Sequence, residues 1–530
     1  MMIAIRRSRT PWIEGQSYRV LAAVRSAAVH GIDALDVTVE VDVVPGLPSW
    51  TIVGLASNAV REARERVAAA LANSGFDVPS RRVTVNLSPA DVRKDGTSFD
   101  LPIALALLAA TGMIEQSALD GLVVAGELGL DGSVRPIRGA LSLSRSAARA
   151  RACLVIPEAN VPEASLAGSV RIASATTLGV LVVQLRSGVA ALPMAKRGDH
   201  TSSSRDSGTE PDFADVAGQA TAKRALEIAA AGGHNVLMMG PPGTGKTMLA
   251  RRLPGILPAL TEDEMLEVVS IHSVGGLVIP GTLPSCTPPF RAPHHTISLA
   301  GLIGGGPGPR PGEVSLAHRG VLFLDELLEL PRHILDAMRQ PLEDGRVVIA
   351  RAAHAVAFPA RFQLIAAANP CKCGHSASND GRCQCSAADI ERYRARLSGP
   401  LADRIDLHVH VGSVEISALG TATGAESSAA VRARVASARN VQRDRYETLG
   451  GVRTNADVPG RWLIANGRLH SGAHGLLKDA AARLAISARG YHRALRVART
   501  IADLDGEVEI TETALAEALR YRASVTAQGR

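Results

Sequence analysis

The sequence is poor in aromatic residues and cysteine, and it contains no long apolar segment. Only 3% of its 530 residues are Phe, Trp or Tyr, and only 6 are Cys, too few for a disulfide scaffold in a chain of this length. The longest apolar runs, such as Leu101 to Ala110, contain a proline or fall short of the roughly 18 residues that a membrane-spanning helix needs. The N-terminus lacks the pattern of a signal peptide. We therefore expect a cytoplasmic protein with no membrane partner.

The length favours several globular domains, at about 100 to 200 residues each. Residues 1–19 match no pattern and form an N-terminal extension. Residues 189–212 are rich in Ser, Gly, Thr and charge, which is typical of a flexible linker. These segments leave a mixed α/β domain at 20–188, a second α/β domain at 213–414 and an Ala/Arg-rich helical domain at 415–530, which we call the lid.

Hydrophobic periodicity indicates the elements of both α/β domains. Asp36 to Val43 alternates apolar and polar residues, as a half-buried strand does. Ser57 and Gly75 suit the two ends of one helix. The remaining predictions are strands at 82–87, 122–126, 154–157, 235–239, 321–324 and 362–366 and a helix at 102–111. In the second domain strands alternate with helices, which predicts a parallel sheet with crossover helices.

A phosphate-binding loop follows the strand at 235–239 and precedes an apolar helix. It matches G-x-x-x-x-G-K-[ST] with Gly240, Pro241, Pro242, Gly243, Thr244, Gly245, Lys246 and Thr247. The glycines let backbone N–H groups turn towards phosphates, Lys246 supplies a positive charge, and the Thr247 hydroxyl is a ligand for Mg²⁺. A glycine-rich turn without a ligand is the alternative, and it explains neither the Lys-Thr pair nor the helix.

The buried strand at 321–324 ends in Asp325 and Glu326. An acid at the carboxyl end of such a strand lies beside the phosphate loop, so Asp325 suits the Mg²⁺ shell and Glu326 suits polarisation of the attacking water. Apolar strands that end in Asp are common without any such role. Together with the phosphate loop, however, the pair predicts ATP hydrolysis.

Two further residues complete the predicted site. Asn369 ends the segment FQLIAAAN, which begins with the strand at 362–366, and its amide suits the orientation of water, although a simple turn before Pro370 is the alternative. Arg404 precedes an apolar strand and suits a finger that reaches a neighbouring subunit's γ-phosphate. An intramolecular Arg–Asp pair is the other interpretation of Arg404.

The segments RAPHHTIS, RPGEVSLAH, GVLFLDELLELPRHILDAMRQPLEDGRV, NPC-x-CG and GPLADRIDLHV resemble the ComM/YifB family of magnesium-chelatase-like AAA+ ATPases. The resemblance runs from about residue 20 to near the end of the chain. It implies a P-loop core with a helical lid and a homohexameric ring that binds ATP and Mg²⁺. It also implies that Asn369 is sensor 1, that Arg404 acts in trans, and that Arg489 is the sensor-2 arginine, with Arg493 as the alternative.

Relatives in this family act on branched DNA as branch-migration helicases in recombination and natural transformation. By analogy we expect DNA as the partner, either single-stranded or branched. An ATP-dependent protease and a chelatase-type remodelling ATPase are the alternatives, but the chain has no D-x-S-x-S metal-adhesion motif.

The region 344–358 reads as two strands around a short tip. Similar ATPases carry a hairpin here that lines the pore of the ring, which makes Arg351 and His354 candidates for contact with DNA. A solvated hairpin without a ligand is the alternative. His294 and His295 lie in an extended insertion that has no other metal-ligand types at suitable spacing.

Four of the six cysteines form two C-x-C pairs, Cys371 with Cys373 and Cys383 with Cys385. Four thiolates across a short loop suit structural Zn²⁺, although C-x-C is tighter than the usual C-x2-C spacing. Reduced thiols without a metal are the alternative.

Residues 90–157 resemble the proteolytic domain of Lon, whose fold is ribosomal-S5-domain-2-like. Ser98 matches the nucleophile of Lon, but Leu141 stands where the activating lysine is expected. A serine without a base is a poor nucleophile, so we expect a scaffold rather than a peptidase.

The net charge of +7 is concentrated in the C-terminal part of the chain. Residues 421–530 contain 17 Lys and Arg against 11 Asp and Glu. We expect the arginines other than the sensor-2 residue to be free for phosphate groups or neighbouring subunits. With few aromatics, the protein should hold DNA through backbone charge and with little sequence preference.

Overall fold

Two units divide the chain in a computed structural model, which describes residues 20–168, 170–195, 211–282, 285–306, 308–351, 354–376, 382–397, 399–413, 426–483 and 486–526. Of these described residues, those within 20–195 and 276–282 form unit 1, and those within 211–275 and 285–526 form unit 2. The segment 276–282 thus belongs with the N-terminal part of the chain, where Gly281 N donates to Ala159 O over 2.8 Å. Nothing in the sequence pattern indicated this. The domain boundaries given above stay predictions.

The strands of unit 1 are β1 (Val20–His30), β2 (Asp33–Val44), β3 (Ser49–Val53), β4 (Arg82–Ser88), β5 (Leu122–Val124), β6 (Glu127–Leu128), β7 (Val134–Arg135), β8 (Cys153–Pro157) and β9 (Arg171–Ala175). A mixed seven-stranded sheet has the order β3-β4-β2-β1-β5-β8-β9. Val37, Val39 and Val41 are buried in β2, and the residues between them are more exposed. This confirms the predicted half-buried strand.

The helices of unit 1 are α1 (Asn58–Arg61), α2 (Ala63–Asn73), α3 (Asp100–Ala110), α4 (Ala140–Arg149), α5 (Val161–Ser165) and α6 (Leu178–Arg186). The single helix predicted from Ser57 is interrupted at Glu62 and forms α1 and α2. Every residue of α3 is buried. Its Asp100 carboxylate accepts two hydrogen bonds from Arg66, at 2.6 and 2.9 Å. This bidentate pair offsets the cost of a buried charge.

The strands of unit 2 are β10 (Val236–Met239), β11 (Phe290–Arg291), β12 (Gly304–Gly305), β13 (Arg310–Pro311), β14 (Val321–Leu324), β15 (Arg346–Arg351), β16 (His354–Pro359), β17 (Gln363–Ala368) and β18 (Leu407–His410). Five of them form a parallel sheet in the order β11-β14-β17-β10-β18. The predicted parallel core is therefore confirmed. Because the strands are parallel, their carboxyl ends meet at one edge of the sheet.

The helices of unit 2 are α7 (Ala220–Gly232), α8 (Lys246–Arg251), α9 (Leu253–Ile256), α10 (Glu262–Gly275), α11 (Leu299–Ile303), α12 (Glu313–Leu316), α13 (Arg332–Ala337), α14 (Arg339–Asp344), α15 (Ala387–Arg394), α16 (Gly399–Ala402), α17 (Ser428–Arg445), α18 (Gly460–Asn466), α19 (Ser471–Arg483), α20 (Ala488–Leu504) and α21 (Glu512–Thr526). Alternate residues of the sheet point to opposite faces. Phe323 and Ile365 pack with α7 and the lid helices on one face, whereas Leu322 and Leu364 pack with α11 and α13 on the other. No helix in the described ranges is long and apolar enough to cross a membrane.

The antiparallel strands β15 and β16 form the predicted hairpin, with pairing from Arg346 with Pro359 to Arg351 with His354. Its base is fixed to the helix before it, because Ala360 N donates to Gly345 O over 2.8 Å and Gly345 N donates to Pro341 O over 3.0 Å. We call this element the hairpin.

Candidate nucleotide-binding site

The phosphate loop connects β10 to α8 at the carboxyl edge of the parallel sheet. Gly243 and Gly245 have φ values of 78° and 86°, a left-handed conformation that favours glycine. At Gly240 a Cβ atom would collide with the Val411 carbonyl oxygen of the adjacent chain segment. These positions explain why the loop needs glycine.

Lys246 lies at the first position of α8 and is buried. Its Nζ donates to the carbonyl oxygens of Gly240 and Pro241, at 2.7 and 2.8 Å, and to Asn369 Oδ1 at 3.3 Å. Burial lowers the pKa of Lys246, and the negative charges of Asp325 and Glu326 oppose this effect. The lysine is thus confined within the loop, beside the acidic strand end.

Thr247 and Asp325, both predicted as Mg²⁺ ligands, are in direct contact. Thr247 Oγ1 donates to Asp325 Oδ2 over 2.7 Å, and Asp325 Oδ1 accepts from the backbone N–H of Glu326 at 2.9 Å. Hydroxyl and carboxylate oxygens are the hard ligands that Mg²⁺ prefers, and it usually takes one or two of them from the protein. The residues present therefore fit the ion.

Glu326 has a φ of 50°, an uncommon left-handed conformation for a residue other than glycine. Its Oε2 atom lies 3.0 Å from Nδ1 of His295. Sequence reasoning noted the two histidines but had no means to identify this partner.

Asn369 follows β17, which lies between β10 and β14 in the sheet. The amide therefore stands between the strand that carries the phosphate loop and the strand that carries the acids. Its contact with Lys246 joins these two parts.

Arg404 follows α16 and precedes β18, and its side chain is only 15% exposed. It forms an ion pair with Glu343 of α14, and Asn235 Nδ2 donates to its carbonyl oxygen over 2.9 Å. The described contacts thus give Arg404 a glutamate partner, whereas the sequence alternative was an aspartate. Glu343 was not recognised from the sequence.

The two sensor-2 candidates differ in exposure. Arg489 lies in the first turn of α20, is 70% exposed and stands 3.7 Å from Asp403. Arg493 is 12% exposed and stands 3.5 Å from Asp406, which is itself buried. The structure therefore leaves Arg489 the more accessible of the two.

The sulfur atoms of Cys371, Cys373, Cys383 and Cys385 lie within 4.8 Å of one another. Three of the separations are 3.3, 3.6 and 3.9 Å, too long for a disulfide. Four sulfurs at about 2.3 Å from a tetrahedral Zn²⁺ lie about 3.8 Å apart. The backbone N–H of His375 and the thiol of Cys371 lower the pKa of Cys373 to about 6. The cluster fits Zn²⁺.

The cysteine cluster adjoins the phosphate loop. A Cβ atom at Gly374 would lie 2.7 Å from Cδ of Pro242, and Gly374 has a φ of 85°. Only glycine fits this approach without strain. The packing of the two loops was not visible in the sequence, which separates them by more than a hundred residues.

Arg351 and His354 pair through their backbones at the distal end of the hairpin. Their side chains lie outside the part of the chain that the structure describes, so their contact with DNA stays a prediction. Their place at the end of the hairpin agrees with the two strands read from the sequence.

Many arginines of the lid form intramolecular contacts, which corrects the expectation that they are free. The following donate to, or form an ion pair with, a carboxylate or backbone carbonyl: Arg432, Arg434, Arg439, Arg445, Arg453, Arg489, Arg493, Arg499 and Arg522. The carboxylate of Asp503 accepts hydrogen bonds from two of these arginines, Arg445 at 2.8 Å and Arg499 at 3.0 Å. Arg445 is mostly buried and Arg499 is fully buried. Much of the charge excess therefore stabilises the lid.

In unit 1, Leu141 is fully buried and its backbone N–H donates to Glu163 Oε1 over 2.8 Å. Ser98 lies just before α3 and its carbonyl oxygen accepts from Gly126 N at 2.9 Å. An apolar side chain at position 141 cannot accept a proton from a serine.

Comparison with known proteins places this geometry in a family. The family descriptions that match are Subunit ChlI of Mg-chelatase at residues 39–160, Magnesium chelatase subunit ChlI at 212–419 and Magnesium chelatase subunit ChlI C-terminal at 425–522. Competence protein ComM of Haemophilus influenzae is 44% identical over 510 residues, which cover 95% of this chain and 98% of that protein. The chain belongs to the ComM/YifB family of magnesium-chelatase-like proteins.

Other relatives support the same conclusion. The protein YifB of Escherichia coli is 42% identical over 506 residues, 95% of this chain and 97% of its own. The 38 kDa magnesium-chelatase subunit of Rhodobacter capsulatus is 30% identical over 178 residues, only 30% of this chain and 50% of its own. ComM/YifB membership supports an ATPase of AAA+ type that uses ATP and Mg²⁺.

Proposed function

We propose that this ComM/YifB-family protein is an ATP-driven motor that acts on DNA in the cytoplasm, as a ring of six copies that moves branch points during recombination or natural transformation. The observation that carries the ATPase is the contact of Thr247 with Asp325, beside the contact of Lys246 with Asn369. The proposal of a DNA substrate rests on the similarity to a competence protein along almost the full length of both chains and on the hairpin.

Each residue of the site has a separate task in this proposal. Backbone N–H groups of the phosphate loop and Lys246 bind the phosphates, and Thr247 and Asp325 hold Mg²⁺, which neutralises developing charge when bound. Glu326 accepts a proton from the attacking water, and Asn369 orients that water. Arg404 of one subunit stabilises the transition state in its neighbour, and Arg489 contacts the nucleotide from the lid.

Glu343 has to release Arg404 for the finger to act in trans. Arg404 is mostly buried, but Glu343 is 59% exposed. A pair with one exposed partner exchanges more readily than a fully buried pair. We therefore propose that subunit contact draws Arg404 from Glu343 to the neighbouring nucleotide.

We propose that unit 1 is a Lon-like scaffold without peptidase activity, since Leu141 offers no base to Ser98. ATP-dependent degradation of an unfolded protein, abolished by Ser98→Ala, would contradict this assignment.

We also propose that the four cysteines hold one structural Zn²⁺ per chain. Elemental analysis of freshly purified protein should give a ratio near one, and a ratio far below one would refute the site.

ATP hydrolysis with different DNA molecules tests the proposal. We expect the protein to have the size of a hexamer in the presence of ATP. Forked, four-way or single-stranded DNA should then stimulate its hydrolysis of ATP. The stimulation should depend little on base sequence, because contact with the DNA backbone dominates. A hydrolysis rate that no DNA changes would contradict the motor function, and hydrolysis stimulated by an unfolded protein instead would favour the protease alternative.

A further inference from the structure

Asn235 has no task in the mechanism above, yet its side chain contacts the residue that we propose as the finger. Asn235 is the last residue before β10, and its Nδ2 atom donates to the carbonyl oxygen of Arg404 over 2.9 Å. Its Oδ1 atom accepts from the backbone N–H of Leu364 at 2.8 Å. One amide thus joins the start of β17 to residues 403–406, which we call the finger segment.

The backbone of Asn235 holds the finger segment at a second point. The N–H of Asp406 donates to the carbonyl oxygen of Asn235 over 3.0 Å. The carbonyl group of Arg404 lies just beyond the end of α16, where helical carbonyl groups lack a donor within the helix, and the Asn235 amide supplies one. Arg404 therefore has a fixed contact at its own carbonyl group and another two residues later.

His234, the preceding residue, connects the same segment to the lid. Its imidazole is fully buried, with Nδ1 3.2 Å from Asp406 Oδ2 and Nε2 2.8 Å from Thr500 Oγ1 of α20. A Cβ atom at Gly232 would lie 2.3 Å from His234 Nε2, so the turn into β10 has no room for a larger residue there. The finger segment is thus anchored to the sheet and to the lid by buried contacts.

These contacts lie at the amino edge of the parallel sheet, opposite the phosphate loop. Asn235 precedes β10 and Gly240 follows it, and five residues of strand span about 17 Å. Arg404 precedes β18, which pairs in parallel with β10, so its backbone lies at the same edge as Asn235. An arginine side chain does not span the distance from there to the phosphate loop of its own subunit. This position supports a finger that serves the neighbouring subunit.

We propose that Asn235 is a positioning residue for Arg404, because it fixes the backbone from which the finger reaches the nucleotide of the neighbouring subunit. The inference rests on the proposed function, since it requires Arg404 to act in trans. A displacement of about 1 Å in a group that acts on the transition state can cost about 10²-fold in rate. The Asn235 side chain of one subunit therefore sets the rate of hydrolysis in its neighbour.

The test uses the full-length Asn235→Asp variant, whose carboxylate has nearly the volume of the amide but no N–H for the Arg404 carbonyl group. In steady-state hydrolysis, kcat should fall by about 10- to 100-fold because the finger segment shifts. The KM for ATP should stay within about two-fold, since the phosphate loop keeps its contacts. Asn466→Asp is the matched control, because this exposed asparagine also donates to a backbone carbonyl oxygen, that of Trp462 at 3.0 Å. It should hydrolyse ATP like the wild type.

Mixtures of variants separate a misplaced finger from damage to the variant's own nucleotide site. Asn235→Asp mixed with Lys246→Ala should regain part of the activity, because Lys246→Ala subunits bring a correctly placed finger to intact sites. Asn235→Asp mixed with Arg404→Ala should show no gain, since neither protein supplies a finger in the correct place. Recovery only in the Arg404→Ala mixture, or in neither mixture, would overturn the inference.

Failure of the proposed function gives a different result. A mixture of Lys246→Ala and Arg404→Ala that stays inactive would refute a finger in trans, whatever the rate of Asn235→Asp. If Asn235→Asp forms no ring with ATP, Asn235→Ser, which is smaller and uncharged, replaces it in the same mixtures. A kcat of Asn235→Ser equal to that of the wild type would also overturn the inference.

Discussion

At the residue scale, two substitutions separate the tasks that we propose for Lys246 and Glu326. Lys246→Ala removes the charge that we propose binds the phosphates and should abolish nucleotide binding. Glu326→Gln keeps the volume and removes the base, so ATP should bind normally while kcat falls by about 10²-fold or more. Binding of a fluorescent ATP analogue and phosphate release measure the two effects. Normal turnover of Glu326→Gln would show that the base lies elsewhere.

Arg404 is the residue whose proposed role requires two subunits. Arg404→Ala should lower kcat by about 10³-fold and leave ATP binding intact. A mixture of the inactive Lys246→Ala and Arg404→Ala proteins should regain part of the activity, because some interfaces then combine an intact loop with an intact finger. Arg396→Ala, which removes an arginine paired with Glu329 on the same unit, is the control. A mixture as inactive as its components would contradict a finger that acts in trans.

At the scale of elements, the cysteine cluster and the phosphate loop form one packed arrangement. Cys371→Ser or removal of Zn²⁺ by a chelator should weaken ATP binding, because Gly374 then loses its fixed place against Pro242. Gly374→Ala should have the same effect without loss of zinc, since its Cβ would approach Pro242 to 2.7 Å. Cys286→Ser, outside the cluster, is the matched control. Calorimetry measures the affinity for ATP. Equal affinities in Cys371→Ser, Gly374→Ala, the chelator-treated protein and the Cys286→Ser control would show that the cysteine cluster does not affect the phosphate loop.

The lid helices depend on a buried charge network. Asp503 is fully buried and accepts hydrogen bonds from Arg445, Arg499 and Asn455. Asp503→Ala leaves the buried guanidinium group of Arg499 and the partly buried one of Arg445 without their carboxylate, and it should lower the free energy of unfolding by about 3 to 5 kcal/mol. Denaturant titration measures this loss, with Asp479→Ala on an exposed face of α19 as the control. Equal stability of the two variants would show that the network contributes little.

At the scale of the whole molecule, the sequence predicted the parts of the fold that repeat along the chain. Buried strands that alternate with helices predicted the parallel sheet. Parallel strands bring Thr247, Asp325 and Asn369 to one edge of the sheet, independently of how the other side chains pack. This topology makes the candidate site predictable from the sequence.

The side-chain and loop contacts around this site could not be predicted in the same way. His295 with Glu326, Glu343 with Arg404, and Gly374 with Pro242 each join residues that are distant in the chain, through side-chain or loop geometry that periodicity does not encode. The lid shows the opposite error, since a local excess of arginine suggested free charge where the structure has buried ion pairs. A charge count gives the composition of a segment, whereas the partner of each arginine depends on how the helices pack.

The assembled ring should lose DNA affinity as salt rises. Each phosphate contact releases condensed counterions, so the logarithm of the binding constant should fall linearly with the logarithm of salt concentration. Arg351→Ala should reduce that slope by about one for each phosphate group that this arginine neutralises, without changing preference among DNA sequences. Fluorescence anisotropy at several salt concentrations measures the slope, and an unchanged slope would exclude Arg351 from the DNA interface.

Branch movement on a synthetic four-way junction tests the central claim most directly. With ATP and Mg²⁺, the wild-type protein should convert the junction into two duplexes, and its rate of hydrolysis should rise when the junction is added. Glu326→Gln should bind the junction and leave it intact. Wild-type protein that hydrolyses ATP at one rate with or without the junction, and leaves the junction intact, would contradict a DNA motor.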